Sequence, residues 1–110
     1  MTHTTIIESY NRNGCVLKFA ITDECYNTDI FKLTVTLAGV IRVEKLVEDR
    51  TYNYIFPAEV ITPNYSLEDI DETIQKVLIR CSKGDETELH VRDSVAYCEF
   101  LEDVNESFNN

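Results

Sequence analysis

The apolar residues of this 110-residue chain change their spacing once, near residue 65, and that change divides the fold. Before it the period is two. Cys15, Leu17, Phe19 and Ile21 alternate with Val16, Lys18, Ala20 and Thr22, and Phe31, Leu33, Val35 and Leu37 alternate with Lys32, Thr34 and Thr36. Such alternation builds strands with one face on a core and the other toward solvent, the pattern of antiparallel sheets. After it, Leu67, Ile70, Ile74, Val77, Leu78 and Cys81 recur mostly at steps of three and four, one stripe of a helix. Strands grouped first and helices after them imply an α+β fold, an antiparallel sheet of five to six strands packed by C-terminal helices.

The local signals fill in this plan. Residues 4–10 read as a first strand, and the Asn13-Gly14 pair predicts a two-residue turn in which both residues take positive φ. A polar loop over residues 23–29 leads to the third strand, and Ala38-Gly39 turns the chain into a fourth over 40–47. A fifth covers 51–56 and stops at Pro57, which has no N–H for a ladder; Val60 and Ile61 continue it or form an edge segment. Ser66 is placed to cap a helix over 67–82, with Asp69 in the position of the reciprocal capping residue. Glu68, Asp69, Asp71 and Glu72 crowd its start and Lys76, Arg80 and Lys83 its end, as the helix dipole favours, with Gly84 just beyond. One more strand is expected over 87–92. A last helix over 95–104 follows, capped by Asp93-Ser94, although Val95 and Tyr97 also suit a strand; residues 105–110 read as a frayed tail.

Totals set the class. A chain of 110 residues with 44% hydrophobic content makes one domain, 1–110, able to bury a core without staples. Its apolar runs fall short of the roughly 20 residues that span a bilayer, and Met1–Ile7 lacks the basic and apolar parts of an export signal. Cys15, Cys25, Cys81 and Cys98 form no C-x-x-C pair, and all but Cys25 sit in apolar stripes. They read as free thiols, with Cys15, Cys81 and Cys98 buried as small hydrophobes in a cytoplasmic protein.

Charge narrows the function. The net charge is −10, and it is unevenly spread: residues 1–55 hold seven acids against six bases, residues 56–110 thirteen against four. Such a field disfavours direct contact with nucleic acid or an anionic membrane and steers basic partners inward. Catalysis has little to build on. His90, among Glu86, Glu88, Arg92 and Asp93, is the one candidate general base, and it reads more simply as a solvated sheet residue. The cysteines lie in apolar or acidic surroundings that disfavour a thiolate, three glycines make no phosphate cradle, and neither acidic segment has the spacing of a calcium loop. No catalytic residue, metal ligand or cofactor is assigned.

Binding is what remains. The candidate acidic surface comprises Asp85, Glu86, Glu88, Asp93, Glu99, Glu102, Asp103 and Glu106, the last four sharing one face of the final helix. A second candidate is aromatic: Tyr52 and Tyr54, alternating with Phe56 on one sheet face, and Tyr65 beyond. Together these predict a monomeric or dimeric inhibitor of a basic protein, a nuclease or other nucleic-acid-acting enzyme. An immunity protein against a nuclease toxin, or a phage-encoded antagonist of a host defence enzyme, would have this form. A structural or assembly subunit, or a chaperone of a phage or secretion machine, is the alternative, and a small enzyme using His90 the third.

Overall fold

A computed structural model describes residues 2–36, 38–48, 51–54, 60–61, 65–81, 86–89 and 91–109, and for residues 2, 3, 48, 51–54, 86–89 and 109 it describes the backbone alone. Strands β1 (Thr2–Asn11), β2 (Val16–Thr22), β3 (Thr28–Val35) and β4 (Ile41–Glu48) form an antiparallel meander. β5 (Thr51–Tyr54) extends it beyond β4, and β6 (Glu86–Leu89) pairs with β1 at the other edge, giving the order β5-β4-β3-β2-β1-β6. The expected wholly antiparallel sheet is corrected here, because β6 runs parallel to β1. A parallel partner needs a long crossover, and helix α1 (Leu67–Cys81) supplies it. Local alternation carries no information about strand direction.

The two faces of the meander separate as the alternation requires. Leu17, Phe19, Ile21, Phe31, Leu33, Val35, Ile41 and Val43 are buried in one core. Phe19 and Phe31 pair in register, and their rings stack at 5.1 Å. The first hairpin departs from expectation. Asn11 pairs with Val16, so the loop holds four residues, and positive φ falls on Gly14 (86°) and Cys15 (55°), not on Asn13. Asn11 Oδ1 accepts from the Asn13 N–H at 2.9 Å, an Asx turn that competes with the tight two-residue geometry. Cys15 thereby leaves the strand and is only half-buried. Gly39 meets a stricter demand: φ is 83° and its N–H and carbonyl bond Thr36 and Ile61, so that an added Cβ would collide with the Ile61 carbonyl oxygen. Val60 bridges Val40 and Ile61 is buried, fixing the expected edge segment against β4.

Helix α1 starts as its sequence dictates. Ser66 Oγ accepts from the Asp69 N–H at 3.1 Å, and Asp69 Oδ2 accepts from the Ser66 N–H at 3.0 Å. Ile70, Ile74, Val77, Leu78 and Cys81 are buried, whereas Leu67, placed in the same stripe by spacing, is exposed on the first turn. The strand expected over 87–92 ends at Leu89; Val91–Asp93 forms a 3-10 turn with Val91 buried. Helix α2 runs over Val95–Asn109, so residues 105–109 are helical where a frayed tail was expected. Phe108, half-buried against the core, holds this last turn down. Tyr97, Phe100, Leu101 and Val104 face the core. Cys98 lies on the flank of that stripe and is exposed, not buried. Among the described residues no helix is long and apolar enough to cross a membrane.

Candidate functional site

The surface that sequence reasoning marked as acidic is centred on α2. At about 100° per residue, Val95, Glu99, Glu102 and Glu106 fall in a stripe roughly 60° wide, directed away from the core-facing Tyr97, Phe100, Leu101 and Val104. All four are exposed, Val95 at 73%. Asp103 parts from them. It lies on the flank nearest β1, where it accepts from Tyr10 Oη at 2.6 Å and from the Arg12 guanidinium at 3.2 and 3.4 Å. Three carboxylates therefore face outward, and the fourth ties α2 to the first hairpin.

Asp103 organises a small polar cluster. Burial, reinforced by the hydrogen bond to Asp103, raises the Tyr10 hydroxyl well above its ordinary pKa. Burial likewise raises the Cys15 thiol, whose Sγ lies 3.9 Å from Tyr10 Oη. Arg12 is held charged by Asp103. At neutral pH the cluster therefore presents a protonated phenol, a protonated thiol and a neutralised ion pair, which suits it to binding and bracing. It borders a cavity of about 380 Å³ lined by Cys15, Thr34, Val35, Val104, Ser107 and Phe108.

The opposite flank of α2 meets α1. Tyr97 is fully buried, and its hydroxyl donates to Asp71 at 2.5 Å and accepts from Gln75 Nε2 at 2.9 Å. Asp71 also takes a bond from Arg92 Nε at 3.0 Å. Burial first, then the bond to Asp71, pushes the Tyr97 pKa upward. Of the four acids at the start of α1, Asp69 thus caps the helix, Asp71 joins the two helices, and Glu68 and Glu72 are exposed. A groove of about 380 Å³ runs here between the exposed Leu67 and Cys98.

The remaining expected site residues are dispersed. Asp93 is exposed at the end of the 3-10 turn before α2. Glu86 and Glu88 lie on β6 at the far edge of the sheet, and Asp85 and His90 fall outside the described residues. Tyr52 and Tyr54 occupy β5 in register with Leu46 and Glu44, and Phe56 lies outside the described residues. Tyr65 is half-buried and packs against the core. Asp23 in the 23–29 loop is occupied by the N–H groups of Cys25 and Asn27 and by the Asn27 side-chain amide, the geometry of a turn. Among the described residues no three His, Cys, Asp or Glu side chains gather as a metal site would require. Sequence reasoning missed the Tyr10–Arg12–Asp103 cluster; Arg12 and Asp103 are 91 positions apart, and only the packing of α2 beside β1 joins them.

Comparison with known protein families, with curated proteins and with solved structures finds no match to this chain.

Proposed function

We propose that this chain is a cytoplasmic, non-catalytic inhibitor that binds and occludes a basic, nucleic-acid-acting protein, as an immunity protein does a nuclease toxin or a phage-encoded antagonist a host defence enzyme. The observation that carries the reading is the outward stripe of α2. Glu99, Glu102 and Glu106 are exposed at steps of three and four, with no base anywhere on the helix. Like charges at this spacing cost a few tenths of a kcal/mol per pair, and acids in the C-terminal half oppose the helix dipole. Helix stability does not account for them, and a basic partner would.

In this reading the three carboxylates stand where substrate phosphates would, pairing with lysine and arginine of the partner. Exposed Val95 sits in the same stripe and supplies an apolar contact beside them. Long-range attraction sets the rate of encounter and falls with added salt.

The test is an affinity pull-down from the lysate of the source cell, eluted with a salt gradient, alongside the variant Glu99→Lys, Glu102→Lys, Glu106→Lys. The expected result is a basic nucleic-acid-acting protein recovered at one-to-one stoichiometry and lost from the variant. Recovery of the bait alone, or equal retention by the variant, would overturn the reading.

A further inference from the structure

The groove between α1 and α2 is apolar within and acidic around its edges. Leu67 and Glu68 of α1 line it opposite Cys98 and Leu101 of α2, together with the Asp71–Arg92 pair. Leu67 is 43% exposed, although the spacing of its stripe directs it inward, and Cys98 is exposed one turn along α2 from the exposed Val95. Three apolar side chains thus meet water in or within a turn of the groove, on two helices that otherwise bury their stripes.

The charges around the groove can be assigned one by one. Asp69 caps α1, Asp71 is bonded by Tyr97 and Arg92, and Asp103 by Tyr10 and Arg12. Glu68, Glu72, Asp93, Glu99 and Glu102, each in the lining or next to a lining residue, are exposed. Among the described residues within about a helical turn of the lining along the chain, the one base is Arg92, and Asp71 pairs with it. Lys76 lies beyond that reach, and helical spacing turns it about 140° from Asp71, toward solvent.

We infer that this groove receives an amphipathic helix of the basic partner. The apolar ridge of that helix lies on Leu67, Cys98 and Leu101, and its flanking lysines or arginines meet Glu68 on α1 and Glu102 on α2. The walls select a helix. They are side chains of two helices whose backbone groups are largely bonded internally, so they offer no ladder to an extended strand. A helix brings its own backbone bonds and can lay a ridge between α1 and α2. Charge selects among helices. An acidic helix, or a second copy presenting its own α1 and α2, would set carboxylate against carboxylate. The apolar contact supplies affinity, while the acids steer the approach and fix the sign of the flanks. The inference deepens the inhibitor reading and rests on it for the source of the helix, which is the basic partner.

The probe is a fluorescein-labelled peptide of about fifteen residues, with leucines at helical spacing and lysines on both flanks, titrated with the full chain at low salt. A twin with glutamate for lysine is the control. The native chain should bind the lysine peptide and not its twin, and the amide shifts seen by nuclear magnetic resonance should centre on Leu67, Cys98 and Leu101. Leu67→Asp should weaken binding about tenfold or more, although it adds an acid, which the start of α1 favours. Glu68→Lys should weaken it several-fold more than Glu8→Lys, which makes the same change of net charge at the exposed bulge of β1. Circular dichroism checks the fold of these variants, all changed at exposed positions. A native chain that binds neither peptide, or both alike, would overturn the inference. So would tighter binding by Leu67→Asp, or equal losses at Glu68 and Glu8, since those patterns belong to net charge alone. Lysate capture separates the two proposals. A basic partner retained equally by Leu67→Asp overturns the groove and leaves the inhibitor reading standing, whereas peptide seated in the groove with no partner captured does the reverse.

Discussion

Helices α1 and α2 are each fifteen residues long and bury a stripe in the same core, yet they carry their charges in opposite ways. In α1 the acids Glu68 and Asp69 lie in the first turn and Arg80 in the last, so each end complements the helix dipole. Asp69 closes a capping box and Asp71 bonds Tyr97 and Arg92. Its acids are largely explained by the helix itself. In α2 there is no acid in the first turn and no base in the last, and Glu99, Glu102 and Glu106 face outward along a single stripe. Among the described hydrogen bonds of the α2 carboxylates, those of Asp103 join it to Tyr10 and Arg12. The difference teaches that an acidic total says little until each carboxylate is assigned a partner. The exposed stripe that remains on α2 is the surface on which the proposed recognition rests.

The largest effects should ignore this difference, because both helices owe their place to burial. Ile74 on α1 and Phe100 on α2 are each fully buried in the common core. Replacing Ile74 with Ala should cost about 2–5 kcal/mol and replacing Phe100 with Ala about 3–5 kcal/mol, read from urea denaturation midpoints. A loss confined to one helix would mean that the other is a dispensable cover, and the comparison would fail at its base.

Next in size is the one structural acid of α2. Changing Asp103 to Ala removes the acceptor of Tyr10 Oη and of Arg12, and leaves a part-buried phenol without its partner. A destabilisation of about 1–3 kcal/mol is expected, while the same change at Glu102, one residue earlier and exposed, should leave the midpoint within about 0.5 kcal/mol. Equal losses at the two sites would erase the distinction drawn within α2.

These two sites also mark what the sequence can and cannot disclose. The alternation through β2 and β3, the stripe of α1 and the Ser66–Asp69 box are local patterns, and each is present in the structure except at the two ends where Cys15 leaves its strand and Leu67 its stripe. The outward stripe of α2 follows from helical spacing as well. Direction and distance are another matter. That β6 lies parallel to β1 depends on the path of α1 across the sheet, and that Asp103 leaves its neighbours depends on where β1 presents Tyr10. Asn13-Gly14 misled for a local reason, since Asn11 competes with its own Asx turn. Cys98 misled because an apolar run around it does not say which residues face the helix flank.

Smaller still is the capping box. Ser66→Ala should cost about 1 kcal/mol. Its pH dependence sharpens the contrast, because the Asp69 carboxyl is held below its ordinary range by the backbone and hydroxyl hydrogen bonds of Ser66. A group whose folded pKa is lowered stabilises the fold above its unfolded value, about 3.9 for aspartate, and loses that contribution as pH falls through the folded value. Asp69→Asn should therefore flatten the acid limb of the stability profile, with no change in its slope above about pH 5. An unaltered acid limb would mean that the box forms without stabilising the helix start.

The smallest expected effect has the opposite sign and decides the comparison. Replacing Glu99, Glu102 and Glu106 together with Gln keeps side-chain size while removing three like charges from one exposed stripe, Glu106 among them in the last turn at the negative end of the dipole. Stability should rise by a few tenths of a kcal/mol per interacting pair, and the gain should shrink as salt screens the repulsion. In α1 the equivalent neutralisation of Asp69 should lower stability, because there the charge completes a cap. If the triple Gln variant were instead destabilised, the α2 carboxylates would be structural like those of α1, and the argument that they face a partner would lose its footing. If it is stabilised while partner capture is lost, the chain is carrying repulsion in its fold that only an incoming basic surface relieves.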